Sequence, residues 1–189
     1  MITLPKLILA SGSPRRAEIL RSVGWEFEVV VPDIDESERP GESPEDYVQR
    51  LAAEKAAVAA AKAGDKMVLA ADTTVVVDDE ILAKPVDLDD AKRMIRMLAG
   101  KDHDVLTGIA LVKNGVTSVG LQRTIVTFAP MTDSEIEFLA VEGDPLDKAG
   151  AYAVQAQAAL FITSIHGDHW NIVGLPINLV YQLAVTFVA

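Results

Sequence analysis

Leu7-Ile8-Leu9-Ala10-Ser11-Gly12-Ser13-Pro14-Arg15-Arg16 is the stretch whose reading decides the fold. Four consecutive apolar residues, 7–10, read as a buried strand, since a strand wetted on one face would alternate apolar with polar. Ser13 stands where a helix N-cap belongs, and Pro14 follows at the first helical position, where its missing N–H is no loss. Gly24 supplies the stop, so the pattern predicts a helix over 14–23. Strand, tight turn and helix in that order point to an α/β domain.

Working outward, Phe27 to Val31 reads as a second strand, followed by the acidic loop Asp33-Ile34-Asp35-Glu36. Ser43, with Pro44, Glu45 and Asp46 behind it, starts a long helix that Gly64 should stop after about Ala63. Met67 to Ala71 is apolar throughout and reads as a central strand, which the polar Asp72-Thr73-Thr74 should end before Val75 to Val77. Asp78-Asp79 makes a turn, and Ile81 to Ala83 returns to Lys84-Pro85. A helix is expected over 87–99, with acidic residues early, basic ones late and Gly100 at its end. Asn114-Gly115 is the pair favoured by type I′ turns, where both positions need φ > 0, so 105–112 and 116–128 form a hairpin. Thr132 with Glu135 is a capping box opening a helix to about Val141. Short strands are expected at 152–154 and 160–165, and a closing helix at 176–187.

With 189 residues, half of them hydrophobic, the chain can bury one full core, and a single domain over 1–189 is the expectation. Cysteine is absent, which removes disulfides and thiolate metal sites and fits the cytoplasm. Met1 to Leu9 is too short an apolar run for a secretory signal, and no stretch approaches the roughly 20 apolar residues of a membrane span, so no membrane partner is expected. A formal charge of −11 argues against nucleic acid polymers as partners. It leaves room for a small polyanion wherever some of the 17 basic residues converge.

Three segments put polar residues at the ends of apolar strands, where open α/β sheets bind ligands: Ser11 to Arg16, Asp72-Thr73 and Lys84-Pro85. The first would present backbone N–H groups, two hydroxyls and two guanidiniums to an anion, or be an ordinary capped helix with solvated arginines. Asp72 could cap a turn; partly desolvated behind an apolar strand, it could instead take a proton from water or hold a metal. Lys84 could be a solvated loop lysine, and Lys55, beside Glu54, a member of a surface ion pair. Leu98-Ala99-Gly100-Lys101-Asp102 lacks the upstream glycine and downstream hydroxyl of a P-loop and reads as a helix end. His166 and His169 flank a turn, and further nitrogen or sulfur ligands for zinc are wanting.

In this order across the whole chain, a set of short strings resembles the Maf family of nucleotide pyrophosphatases. They are residues 10–16, Asp35-Glu36, Arg50-Leu51-Ala52 with Lys55-Ala56, Ala71-Asp72-Thr73, Lys84-Pro85, residues 147–152 and Val173-Gly174-Leu175-Pro176. The resemblance implies a mixed twisted sheet flanked by helices, two lobes around a cleft, similar to the inosine triphosphate pyrophosphatase architecture. It implies cleavage of a nucleoside triphosphate between the α and β phosphates with a divalent metal cation (Mg2+, Mn2+ or Co2+), and it allows a homodimer. On this resemblance Asp72 activates water, and Glu36 is its metal or water-orienting partner. Ser11, Arg16, Lys55 and Lys84 would hold phosphate oxygens. Tyr152-Ala153-Val154-Gln155 looks like the branch that prefers dTTP and UTP, in which Arg15, Thr73 and Gln155 are the specificity positions. An amide at 155 can both donate to and accept from the imide edge shared by uracil and thymine. Ala156 departs from the glycine usual in that branch. Members of the family are also linked to arrest of septum formation, so a non-catalytic nucleotide-binding regulator of cell division is the rival reading.

Overall fold

The computed structural model describes residues 4–187, so the first three residues of the Met1–Leu9 reading and the last two of the chain lie outside it. Strands β1 (Leu7–Ala10), β2 (Phe27–Val30), β3 (Met67–Val77), β4 (Glu80–Leu82), β5 (Asp102–Lys113), β6 (Val116–Phe128) and β7 (Ile162–His166) form one mixed sheet. Its order is β2-β1-β3-β5-β6-β7, with β4 paired to β3. β1 runs parallel to both β2 and β3, whereas β4 and β7 pair antiparallel with β3 and β6. The helices are α1 (Pro14–Ser22), α2 (Pro44–Ala60), α3 (Leu88–Leu98), α4 (Asp133–Glu142), α5 (His169–Val173) and α6 (Ile177–Val185). By its internal contacts the chain forms two compact units, one of residues 1–72, 107–122 and 174–189, the other of 73–106 and 123–173.

In the first unit, β1 is buried at all four residues. α2 packs a helical stripe of Val48, Leu51, Ala52, Lys55, Ala56 and Ala59 inward. Much of this core is alanine: Ala10, Ala52, Ala56, Ala59, Ala70 and Ala110 sit with Ile8, Val68 and Val112. Small residues let helix and sheet approach closely. At Gly108 on β5 an added Cβ would lie 2.3 Å from the Val48 carbonyl oxygen. Ser43 caps α2 as expected, its Oγ accepting from the Asp46 N–H at 3.1 Å.

The second unit has the larger side chains. Val75, Leu82, Met94, Ile95, Leu98, Phe128 and Leu139 share one buried cluster with Tyr152 and Phe161. The capping box at α4 is formed in both halves, Glu135 N–H to Thr132 Oγ1 and Thr132 N–H to Glu135 Oε2. Asp78 and Asp79 both take positive φ, 51° and 63°, as a tight β3–β4 turn demands.

Three expectations need correction. β3 is not broken at Asp72: it is one strand of 11 residues, because ladder hydrogen bonds use the backbone and the carboxylate has its own partner. Residues 152–154 are not a strand. Positive φ at Gly150 (67°) and Ala151 (64°) turns the chain out of extension, and Tyr152 is buried for its ring, stacked edge-on to His103 and Phe128. Ser13 occupies the N-cap position of α1 without a side-chain cap bond; its N–H donates instead to Ser11 Oγ at 3.2 Å.

β5 begins three residues earlier than expected, which carries His103 into the core of the second unit. Its Nε2 is 2.8 Å from the Tyr152 hydroxyl, and burial lowers its pKa to about 4. The unfolded chain therefore takes up this proton near pH 6.5 and the folded chain only near 4, so folding stability falls as the pH is lowered across that window. The loss attributable to His103 is roughly 3 kcal/mol once pH reaches about 4. Urea unfolding of wild type and His103→Gln at pH 7 and 4.5 tests this: the wild type should lose more stability than the variant on acidification, and equal losses would refute the assignment.

Candidate active site

In the first unit β1 delivers the chain into Ser11-Gly12-Ser13, and α1 leaves from it with its N-terminus at the strand's C-terminal end. First-turn N–H groups point out of a helix there, which favours an anion. Ser11 is buried and its Oγ accepts from Ser13 N–H and, at 3.0 Å, from Arg16 Nη1. Arg16 also donates from Nη1 to the Ala71 carbonyl and from Nε to the Gly174 carbonyl, each at 2.8 Å. It thus straps α1 to the residue that precedes Asp72. Burial pushes its guanidinium down from the ordinary value, with the Asp72 charge pulling the other way. Arg15, in the same helical turn, is half-exposed.

Asp72 sits midway along β3 and is buried. Its Oδ1 accepts from Lys55 Nζ at 2.6 Å, and the same ammonium lies 2.7 Å from Glu36 Oε1. Lys55 belongs to the buried stripe of α2, with its side chain 10% exposed, so the surface ion pair with Glu54 is not its role. Burial pushes the Asp72 carboxyl up from the usual carboxylate range, against the attraction of Lys55 and Arg16. A raised carboxylate is a stronger base toward water.

Glu36 comes from the loop between β2 and α2, and α2 holds that loop in place. The Tyr47 hydroxyl donates to the Glu36 carbonyl at 3.0 Å, and Arg50 Nη2 donates to the Ser37 carbonyl at 3.0 Å. Arg50 also grips Glu42 with Nε and Nη2, at 2.5 and 2.7 Å. Asp35 is exposed and accepts from the Ser37 N–H and hydroxyl. Burial and the charges of Asp72 and Glu36 push the Tyr47 phenol up to about 12, so it stays a neutral donor. The roles of Tyr47 and Arg50 escaped the sequence reading. Their signal was helical spacing, three apart on a helix that also presents Lys55.

The structure therefore gathers Ser11, Arg16, Glu36, Lys55 and Asp72 in one unit, with Arg15 on the same turn as Arg16. Thr73, Lys84 and Gln155 belong to the other unit. There, Gly150 N–H donates to the Ala83 carbonyl at 3.2 Å, tying the segment that leads to Gln155 to the residue before Lys84. Gln155 and Lys84 are exposed and Thr73 is half-exposed. Among the described residues no three His, Cys, Asp or Glu side chains are grouped to hold a metal. His166 ends β7 and His169 starts α5, with Gly167 turning between them.

Fold and site together define an α/β protein with a buried acid paired to an ammonium and tied through Arg16 to a helix N-terminus. The chain belongs to the family of Maf-like proteins, whose model matches residues 6–187. A dTTP/UTP pyrophosphatase of Symbiobacterium thermophilum is 46% identical over 184 residues, covering 97% of this chain and 95% of that protein. One from Vibrio cholerae is 44% identical over 183 residues, 96% of this chain and 98% of that protein. Among solved structures, the Staphylococcus aureus Ham1 protein matches with a TM-score of 0.52 at 18% identity, over 94% of this chain and 97% of that one. That likeness concerns the fold, and it agrees with the mixed, helix-flanked sheet that the family resemblance implies. No described helix is long and apolar enough to cross a membrane.

Proposed function

We propose that this chain, acting as a single Maf-like domain, is a nucleoside triphosphate pyrophosphatase that hydrolyses dTTP and UTP to the monophosphate and pyrophosphate. The observation that carries the reading is the buried Asp72 carboxylate, in contact with Lys55 and one residue from the carbonyl held by Arg16. The names borne by the relatives support the substrate.

In this reading Asp72 takes a proton from the attacking water as the water oxygen bonds to the α phosphorus. The bond from that phosphorus to the α–β bridging oxygen breaks, and pyrophosphate leaves with the electron pair. Ser11, the first turn of α1, Arg16, Lys55 and Lys84 bind the phosphate oxygens and balance the charge that gathers on the leaving group. Arg15, Thr73 and Gln155 select the base. The donor set fits a hard divalent cation: Mg2+ commonly takes one or two carboxylates and completes its shell with substrate phosphates and water. Glu36 and Asp72 would hold it, and an ammonium already stands between them. Mg2+, Mn2+ or Co2+ bound there would neutralise phosphate charge. We place the enzyme in the cytoplasm, acting on small nucleotides rather than polymers, with a homodimer as the oligomeric state the resemblance suggests.

Pyrophosphate release across a nucleotide panel, with each of the three cations, tests the proposal. The expected result is a kcat/KM for dTTP and UTP at least tenfold above those for GTP and 7-methyl-GTP. Release from no triphosphate would overturn the enzyme, whereas preference for 7-methyl-GTP would overturn the base assignment alone.

A further inference from the structure

The Glu36–Lys55–Asp72 cluster is arranged as a filled cation site. Lys55 Nζ lies 2.7 Å from a Glu36 oxygen and 2.6 Å from an Asp72 oxygen, on a side chain that is 10% exposed. Asp72 is equally withdrawn from solvent, at 11%, while Glu36 reaches it from a half-exposed position at 51%. Two carboxylates that converge on one point, one of them buried, favour a positive charge between them, since like charges at short range repel. One ammonium leaves the trio with a formal charge of −1; replacing it by a divalent cation would bring the two acids and the ion to zero. A Mg2+-sized ion bound by oxygens at roughly 2.0–2.1 Å would need much of the space that the ammonium fills.

We infer that Lys55 is a resident cation that keeps the Glu36–Asp72 pair from taking a divalent metal until a nucleotide triphosphate arrives. The exchange rests on the pyrophosphatase reading above. The polyphosphate gives the ammonium a second set of anionic oxygens, Lys55 turns to them, and the vacated carboxylates accept the metal together with the phosphates. Lys55 thereby serves as charge compensation before binding and as a phosphate ligand after it. Binding becomes ordered: metal enters with or after the nucleotide, and free metal is excluded. Arg50 and Tyr47 make this possible by fixing the Glu36 loop from α2, the helix that also bears Lys55, so that the two carboxylates stay convergent when the lysine leaves.

The test measures Mn2+ binding to the full chain without nucleotide, by the loss of the free Mn2+ paramagnetic resonance signal, at one fixed pH. Lys55→Met removes the charge at nearly constant shape. Lys55→Gln, run beside it, keeps a hydrogen-bond donor between the acids should the first variant fail to fold, which circular dichroism and a thermal melt establish beforehand. The expected result is Mn2+ affinity at least tenfold above wild type in whichever variant folds, lost again when Glu36→Gln is added. Affinity equal to wild type would overturn the inference, and so would a gain that survives Glu36→Gln. Pyrophosphate release by the wild-type chain is assayed separately. Its absence would count against the enzymatic reading, whereas the Mn2+ comparison bears on the Lys55 exchange alone.

Discussion

Asp72→Asn should reduce pyrophosphate release by about 10³–10⁴-fold, the upper part of what a positioned general base contributes, while leaving nucleotide binding nearly intact. An amide keeps the shape of the carboxylate but cannot take the water's proton. The substitution should cost some stability, because it takes a charge partner from the buried Lys55 and from Arg16, although Lys55 keeps its contact with Glu36 at 2.7 Å. Single-turnover assays with dTTP, equilibrium binding and a thermal melt make the check. A variant that folds, binds and still turns over within tenfold of wild type would remove Asp72 from the chemistry. The same protein separates the enzymatic reading from the regulatory one. Any effect of the chain on septum formation that comes from nucleotide binding alone would survive Asp72→Asn, and one that comes from hydrolysis would be lost.

Gly108→Ala should strongly damage the fold of the first unit. The added methyl would stand 2.3 Å from the Val48 carbonyl oxygen and 2.7 Å from the Gln49 nitrogen, so backbone must move rather than the tip of a side chain. Overpacking a core typically costs about 1–3 kcal/mol, and a backbone collision belongs at or beyond the top of that range. For a chain of this size about 3 kcal/mol lowers Tm by roughly 6–12 °C. Since α2 carries Tyr47, Arg50 and Lys55, activity should fall with stability, and the relation of Lys55 to Asp72 should change even in the fraction that folds. A melting temperature within 2 °C of wild type, an order-of-magnitude threshold on the same scale, would show that α2 is not seated as described.

Features carried by local chemistry were legible in the sequence. Asn114 and Gly115 both take positive φ, 50° and 76°, and few other residue pairs tolerate that. Thr132 with Glu135 specifies its capping box within one turn of helix. What depended on distant partners was not legible. Asp72 looks like a strand terminator because its neutralising partner lies 17 residues away on another element. Lys55, beside Glu54, looks like a surface residue, although it falls on the period that buries Val48, Leu51, Ala52, Ala56 and Ala59. Reading that stripe through the lysine, rather than around it, would have marked Lys55 as a buried charge in need of acids. Residues 152–154 look like a strand because an apolar run reports burial, and burial here comes from the Tyr152 ring packed on His103 and Phe128. Arg16 donates to the carbonyls of Ala71 and Gly174, contacts that only the folded chain brings together.

The alanine-faced seating of α2 also limits how this protein can be engineered for heat. Filling small gaps with larger apolar groups is a common route to thermostability, but Ala52, Ala56, Ala59, Ala70 and Ala110 are each at most 1% exposed. Any enlargement along that seam would lift the helix and carry Lys55 with it. Libraries aimed at a hardier variant have better targets in exposed apolar positions of the second unit, such as Val86 at 85% and Leu160 at 73% exposure.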